Sequence, residues 1–245
     1  MWGYRKVEYI ADCIQGNVRH NNEDNFFCNG VTLPLLHTDL DQPVRGSAST
    51  MNNLLFAVCD GIGGEVAGGA ASFMGVETIK GDAAGYTDLE YMIKNMNQKV
   101  CEYARNHHIS SMGSTATILK MKGGVVQGAN VGDSTIFLFR DGKLKKMTVD
   151  HVAKGIFCKK PPLTQCLGIE EGEMLLEPHL FQEKCRKKDY YLICSDGVTY
   201  LLNENEIADI IKENVELEQI INVLKRRIYE AGATDNTTMI CCKIA

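Results

Sequence analysis

A series of short apolar runs, rich in β-branched and aromatic residues, limits what this chain can fold into. They cover residues 7–15, 25–28, 54–59, 115–121, 125–131, 135–140, 190–194 and 237–244. Each has strand length and is bounded by turn-forming residues. Asp141-Gly142, between Phe139 and Leu144, carries the signal of a two-residue hairpin. Other segments carry a helical period instead. Leu89, Ile93, Met96, Val100 and Tyr103 follow Asp88, a suitable N-cap. Asn203 and Glu206 form a capping-box pair ahead of Ile207, Ile210 and Ile211. Leu217, Ile220, Ile221, Leu224 and Ile228 make a further stripe that stops before Gly232. Residues 30–53 read as a long loop, and residues 154–168 as a second, irregular one. Hairpin-forming strands mixed with helix pairs predict an antiparallel α+β fold. No repeat, low-complexity tract or linker divides the chain, so residues 1–245 are expected to form one domain.

Charge and cysteine usage remove several function classes. Lys and Arg number 26 and Asp and Glu 31, a formal charge of −5, and the basic pairs are scattered. A chain without a basic block is not expected to bind nucleic acid through phosphate neutralisation. No apolar run approaches the roughly 18 residues a membrane span requires. Residues 1–13 alternate apolar and charged side chains without the apolar core of a signal peptide, so a cytoplasmic protein is expected. The ten cysteines are irregularly spaced, form no C-x-x-C pair, and at Cys59, Cys194, Cys241 and Cys242 lie inside strand-like runs. Buried reduced thiols in a reducing compartment are the expectation, rather than disulfides or a zinc site.

The chemistry is concentrated where strands meet aspartates. The run 54–59 ends in Asp60-Gly61, the run 125–131 in Gly132-Asp133-Ser134, and the run 190–194 in Ser195-Asp196-Gly197. The last strand is entered through Asp235-Asn236, and Asn22-Glu23-Asp24-Asn25 precedes them all. A single aspartate after a strand is a turn or cap residue. If these strands are neighbours, their ends put three or more carboxylates in one pocket. Two such charges about 4 Å apart repel by roughly 4 kcal/mol at an effective dielectric of 20. The cluster then needs proton uptake or cations to persist. All-oxygen donors suit Mg²⁺ or Mn²⁺, and a pair of such ions is the usual clamp for in-line displacement at phosphorus. An arginine is expected to hold the phosphate oxygens.

Beyond this chemistry, the residues resemble a known family. Gly16-Asn17-Val18-Arg19-His20-Asn21-Asn22-Glu23-Asp24-Asn25 resembles the opening motif of the metal-dependent protein phosphatases of type 2C, the PPM family. Phe56-Ala57-Val58-Cys59-Asp60-Gly61-Ile62-Gly63-Gly64 resembles its Asp-Gly-x-Gly-Gly motif. Similar in order are Gly113-Ser114-Thr115-Ala116-Thr117, Asn130-Val131-Gly132-Asp133-Ser134, Thr148-Val149-Asp150-His151, Leu192-Ile193-Cys194-Ser195-Asp196-Gly197 and Thr234-Asp235-Asn236-Thr237-Thr238. The resemblance is to bacterial-type members and covers nearly the whole chain.

It implies two packed antiparallel sheets flanked by helix pairs, an α-β-β-α sandwich. It also implies hydrolysis of phosphoserine and phosphothreonine in proteins by in-line attack of a metal-bridging water or hydroxide. By motif position, Asp60 bridges two Mn²⁺ or Mg²⁺ ions and the Gly61 carbonyl ligates one of them. Asp196 and Asp235 supply one ion each, Glu23 and Asp24 act through bound waters, and Arg19 contacts the substrate phosphate. Asp133 matches a position that helps hold a third, weaker metal. Tyr200 stands where many members have Asp, which removes a carboxylate from that third position. Thr135 stands where Arg is common, and Ile62 where many eukaryotic members carry His, so no protein general acid is expected there. A counterpart Ser/Thr kinase and a monomeric state belong to the same expectation. Substrate choice is expected to depend on residues 154–168 and the cleft rim.

Other readings compete. Cys13 and Arg19 fit the C-x5-R spacing of cysteine-dependent phosphatases, but only one glycine lies between them to cradle phosphate. No His precedes Cys13 to help form a thiolate. Gly61-Ile62-Gly63-Gly64 hints at a dinucleotide loop, yet Val66 occupies the sixth position. A non-enzymatic binding module of the same fold is the remaining alternative. His151 is expected to be a hydrogen-bonded structural residue.

Overall fold

A computed structural model of the chain describes residues 4–62, 66–82, 88–155, 160–170 and 172–245. Gly63 and Gly64, expected as part of the second motif, lie outside the described residues. So do Cys158 and part of the expected loop 154–168.

In chain order the elements are β1 (Lys6–Ile14), β2 (Asp24–Cys28), β3 (Val31–Thr32), β4 (Val44–Ser49), β5 (Leu54–Ile62), α1 (Val66–Asp82) and α2 (Leu89–Asn106). There follow β6 (Gly113–Ser114), β7 (Ala116–Lys122), β8 (Val125–Val131), β9 (Thr135–Arg140), β10 (Lys143–Lys146), β11 (His179–Lys184) and β12 (Tyr190–Cys194). The chain ends with α3 (Asp196–Thr199), α4 (Glu204–Glu213), α5 (Leu217–Glu230) and β13 (Thr237–Ile244). One sheet runs β10-β9-β12-β13-β1-β4 and the other β11-β8-β7-β5-β2-β3, with β6 paired to the end of β5. Their strand pairs are antiparallel, as the α+β expectation required.

The central strands read as unbroken apolar runs because both of their faces are covered. On β5, Leu54, Phe56 and Val58 face the core between the sheets, while Leu55, Ala57 and Cys59 face α1 and α2. On β12, Tyr191 and Ile193 point between the sheets, and Tyr190, Leu192 and Cys194 point to the other helix pair. That pair, α4 and α5, buries Ile207, Ile211, Ile220, Ile221, Leu224 and Ile228. Each such side chain taken out of water contributes about 1.5–3 kcal/mol before entropy is charged against it. The result is four layers, helix pair, sheet, sheet and helix pair. The nine cysteines among the described residues are all free thiols.

The expected helix starts are present. Asp88 caps α2 by accepting from the backbone amides of Glu90 and Tyr91, and Asn203 with Glu206 closes a capping box on α4. Asp141 (φ 52°) and Gly142 (φ 76°) turn the β9–β10 hairpin with left-handed backbone at both positions. Two sequence readings need correction. Residues 30–53 are not one loop, because Val44–Ser49 pairs with β1 and Val31–Thr32 with β2. These are edge strands, and the polar run Val-Arg-Gly-Ser-Ala-Ser carries no apolar signal because one side of an edge strand has no sheet to cover it. Helix α1 was not foreseen either. Its glycines lower helix propensity and its apolar residues form no one-sided stripe.

Candidate active site

Sheet pairing brings the acidic residues to one end of the sandwich. Asp24 lies directly opposite Asp60 on neighbouring β2 and β5. Cys194 pairs with Met239, so Asp196, just after β12, and Asp235, just before β13, emerge at the same edge. Ala116 pairs with Val131, and Asp133 follows that strand end.

Short polar side chains fix the backbone beneath these acids. The Asp60 amide donates to Thr115 Oγ1 (3.0 Å), and its carbonyl accepts from the Thr115 amide (2.8 Å) and Ser114 Oγ (3.0 Å). Asn236 ties three segments together. Its Oδ1 accepts from the Glu23 amide (2.9 Å), and its Nδ2 donates to the carbonyls of Gln15 (2.9 Å) and Asn21 (3.0 Å). Ser195 Oγ accepts from the Thr238 amide (2.9 Å) and donates to Asp24 Oδ2 (2.7 Å). Ser72 Oγ, on α1, donates to the Glu23 carbonyl (2.6 Å). These positioning roles for Asn236 and Ser195 were not read from the sequence, although both lie inside the motifs. His151 is structural as expected, its Nδ1 accepting from the Gly132 amide (3.2 Å).

The cluster is short of positive charge. Burial, together with Asp24, Asp196 and Asp133, raises the Asp60 carboxyl well above the ordinary carboxylate range. Burial pushes Asp24 up to about 7 despite the Ser195 hydrogen bond, and Asp133 up to about 6 with help from Asp196. Asp196 is raised by burial even against Lys160. Asp235 is the exception, since Arg19 and Lys160 outweigh its burial and hold it below its ordinary value.

Two buried oxygens, Asp24 Oδ1 and Asp196 Oδ1, have no hydrogen-bond partner among the described residues. A buried carboxylate oxygen left in that state is costly, and a hard cation satisfies it. The oxygen-only donor set fits Mg²⁺ or Mn²⁺. Among the described residues no three His, Cys, Asp or Glu side chains already converge in a metal-binding geometry. Two cationic side chains also reach these acids. Arg19 grips Asp235 with both ends of its fork, Nε to Oδ1 at 2.7 Å and Nη2 to Oδ2 at 2.9 Å. Lys160 Nζ lies 2.7 Å from Asp196 Oδ2 and also contacts Asp235 Oδ2. Arg19 therefore reaches the cluster as expected, while Lys160 was missed. Nothing local marks it, because its partners are distant in sequence. Val18, Arg19, Lys160, Tyr200 and Asp235 border a cavity of about 410 Å³ beside the acids.

Cys13 lies under this site, fully buried, and accepts from Asn22 Nδ2 (3.2 Å) and Thr238 Oγ1 (3.1 Å). Burial and the nearby Asp24 push its thiol far above its ordinary value, so it is no thiolate nucleophile.

Comparison with known proteins points the same way. The profile of the family described as Protein phosphatase 2C matches residues 17–156. The serine/threonine phosphatase stp of Listeria welshimeri is 29% identical over 260 residues, covering 96% of this chain and 94% of that protein. A serine/threonine phosphatase of Streptococcus agalactiae has a solved structure with a TM-score of 0.79 at 25% identity, covering 98% of this chain and 100% of that one. The catalytic domain of the serine/threonine phosphatase PstP, solved with two manganese ions, gives 0.78 at 22% identity, covering 99% and 100%.

Proposed function

The chain belongs to the protein phosphatase 2C family and is a metal-dependent phosphoprotein phosphatase, and from that premise we propose which residues perform the reaction. Asp60, the Gly61 carbonyl, Asp196 and Asp235 would hold two Mn²⁺ or Mg²⁺ ions directly, and Glu23 and Asp24 would act through water. Asp133 would serve a third, weaker site. Arg19 takes the phosphate of a phosphoserine or phosphothreonine. The observation that carries this reading is the pair of buried oxygens without a hydrogen-bond partner among the described residues, Asp24 Oδ1 and Asp196 Oδ1, in a cluster where Asp24, Asp60 and Asp196 are held above their ordinary range.

Divalent ions held there would supply a water of lowered pKa and neutralise charge on the phosphoryl oxygens. The protein's own part is to present the charge that binds them. Asp24 and Asp60 must give up protons to do so, which makes metal affinity rise with pH. Thr115 and Ser114 hold the Asp60 backbone still, and Asn236 holds Asp235 and Glu23 at a fixed spacing. The Arg19 fork suits two phosphate oxygens as well as it suits Asp235. Arg19→Lys keeps the charge and loses the fork. It is expected to raise KM for p-nitrophenyl phosphate about tenfold while changing kcat less. An unchanged KM would remove Arg19 from phosphate binding.

The cysteine-dependent alternative has no support in the state of Cys13. Cys13→Ala is expected to cost about 1 kcal/mol of stability and to leave turnover unchanged. Loss of turnover in a folded Cys13→Ala protein would revive that alternative. A binding module without turnover has no need to hold carboxyls above their ordinary range. The reading extends to residues 1–245 as one catalytic domain, acting as a monomer opposite a Ser/Thr kinase. Among the described residues no helix is long and apolar enough to cross a membrane. The free, mostly buried cysteines support a cytoplasmic setting.

A further inference from the structure

Asp60 and Gly61 lie near the end of β5, where their partner strand is very short. β6 has two residues, with Ser114 opposite Gly61 and Gly113 opposite Ile62. A strand of that length does not hold itself in a sheet. Ser114 is nevertheless part of the site's frame, because its Oγ donates to the Asp60 carbonyl (3.0 Å). The other edge of β6 is taken by Leu167. The Leu167 amide donates to the Ser114 carbonyl (2.7 Å), and the Ser114 amide donates to the Leu167 carbonyl (3.3 Å). The two backbones are in contact, since a Cβ at Gly113 would stand 2.8 Å from the Leu167 carbonyl oxygen. β6 is thus held between β5 and residue 167, and whatever fixes residue 167 also steadies Asp60 and Gly61.

That fixing comes from α2. Asn97, Cys101 and Arg105 recur every four residues along one side of the helix, and each meets the segment 168–170. Asn97 Oδ1 accepts from the amides of Gly168 (2.8 Å) and Ile169 (3.1 Å), and its Nδ2 donates to the Ile169 carbonyl (2.8 Å). Cys101 Sγ donates to the same carbonyl (3.4 Å). Arg105 Nη1 pairs with both Glu170 oxygens (2.7 and 2.6 Å), an exposed contact that contributes little. Leu167 is fully buried in the apolar layer with residues of α1 and α2, but apolar burial has no direction and does not set register. Register falls to Asn97, whose single amide supplies both the acceptor and the donor that the turn of backbone needs.

We infer that Asn97 is a positioning residue for the metal-binding backbone. Through residues 167–169 and Ser114 it holds Asp60 and Gly61 at the spacing from Asp196 and Asp235 that divalent ions require. It acts through this series of contacts rather than on the ions. The inference rests on the metal assignment above and adds to it a residue of the outer helix layer.

Two measurements on the full chain test it. In the first, amide hydrogen exchange is followed in EDTA by mass spectrometry of peptides covering residues 112–116 and 166–169. Asn97→Leu keeps the size of the side chain and removes its three bonds. It is expected to speed exchange in both peptides about tenfold, with residues 190–194 unchanged. In the second, Mn²⁺ affinity is measured well below the melting temperature, by the electron paramagnetic resonance of the free ion. Asn97→Leu is expected to bind Mn²⁺ roughly tenfold more weakly than wild type. Asn97→Ala, where water reaches the freed backbone groups, should lose about threefold, and it decides by the same readings if Asn97→Leu does not fold. Leu224→Ala, in the apolar layer beneath the other helix pair, is expected to lower Tm at least as much and to bind Mn²⁺ as wild type does. Unchanged exchange of residues 112–116, unchanged Mn²⁺ affinity, or an equal loss of affinity in Leu224→Ala would overturn the proposal alone. Failure of the wild type to bind Mn²⁺ would overturn the metal assignment, and the proposal with it.

Discussion

Asp60→Asn is expected to cut the Mn²⁺-dependent turnover of p-nitrophenyl phosphate by about a thousandfold or more, with the fold intact. Asn keeps the shape of the carboxyl and its backbone bonds to Thr115 and Ser114. What it removes is the negative charge proposed to lie between two ions. The fold should tolerate this well, because burial and three neighbouring carboxylates already hold Asp60 far above its ordinary range without metal. The linkage has a definite sign. A carboxyl raised in the folded state keeps its full stabilising share below its unfolded value, the ordinary 3.8, and loses it as pH rises through the folded value. Asn has no proton to lose. In EDTA, the stability of Asp60→Asn relative to wild type should therefore grow as pH increases above about 4. Denaturant melts at pH 5 and pH 8 read this directly. A variant that turns over substrate like wild type, or whose relative stability falls with pH, would contradict the assignment.

Gly61→Ala should damage fold and site together. A Cβ at Gly61 would stand 2.3 Å from the Gly68 carbonyl oxygen and 2.6 Å from the Glu23 carbonyl oxygen. Both are backbone atoms, on α1 and just before β2, and neither can rotate away. Strain of this kind sits at the upper end of overpacking costs, about 3 kcal/mol. For a domain of this size that lowers Tm by roughly 6–12 °C. Relief requires β5 to move away from α1 and β2, which shifts Asp60 from Asp24, and a misplacement of about 1 Å costs on the order of a hundredfold in rate. Gly81, late in α1, is the control, since a Cβ there meets nothing within 4 Å. Gly81→Ala should leave Tm unchanged or slightly raised. Equal melting of Gly61→Ala and wild type would show that the close approach of β5 and α1 does not constrain the site.

This contact also explains what could be read from the sequence. Strands such as β5, β12 and β13 announce themselves because burial on both faces demands continuous apolar residues. Helix α1 hides for the opposite reason. Close contact with β5 demands small residues, Gly68 against Gly61 and Gly75 against Cys59, and those weaken the helical signal. The polar edge strand Val44–Ser49 hides because pairing with β1 is a backbone affair that leaves little trace in side chains. The same division holds at the site. Asp60, Asp133 and Asp196 were legible because each stands at a strand end before a small residue, and Asp24 and Asp235 because each leads into a strand ahead of Asn. Asn236 and Ser195 sit in those motifs, but their bonds to Glu23 and Asp24 span the chain and follow only from the packing. Lys160 arrives from an irregular loop, where no periodicity or capping pattern indicates what a side chain will reach.

The most direct test of the central claim is phosphate release from a phosphothreonine peptide by the wild-type chain, in Mn²⁺ and in EDTA. The two-ion carboxylate site predicts turnover that requires Mn²⁺, stops on chelation and returns when the ion is restored. Turnover that persists in EDTA, or its absence in protein that demonstrably binds Mn²⁺, would contradict it.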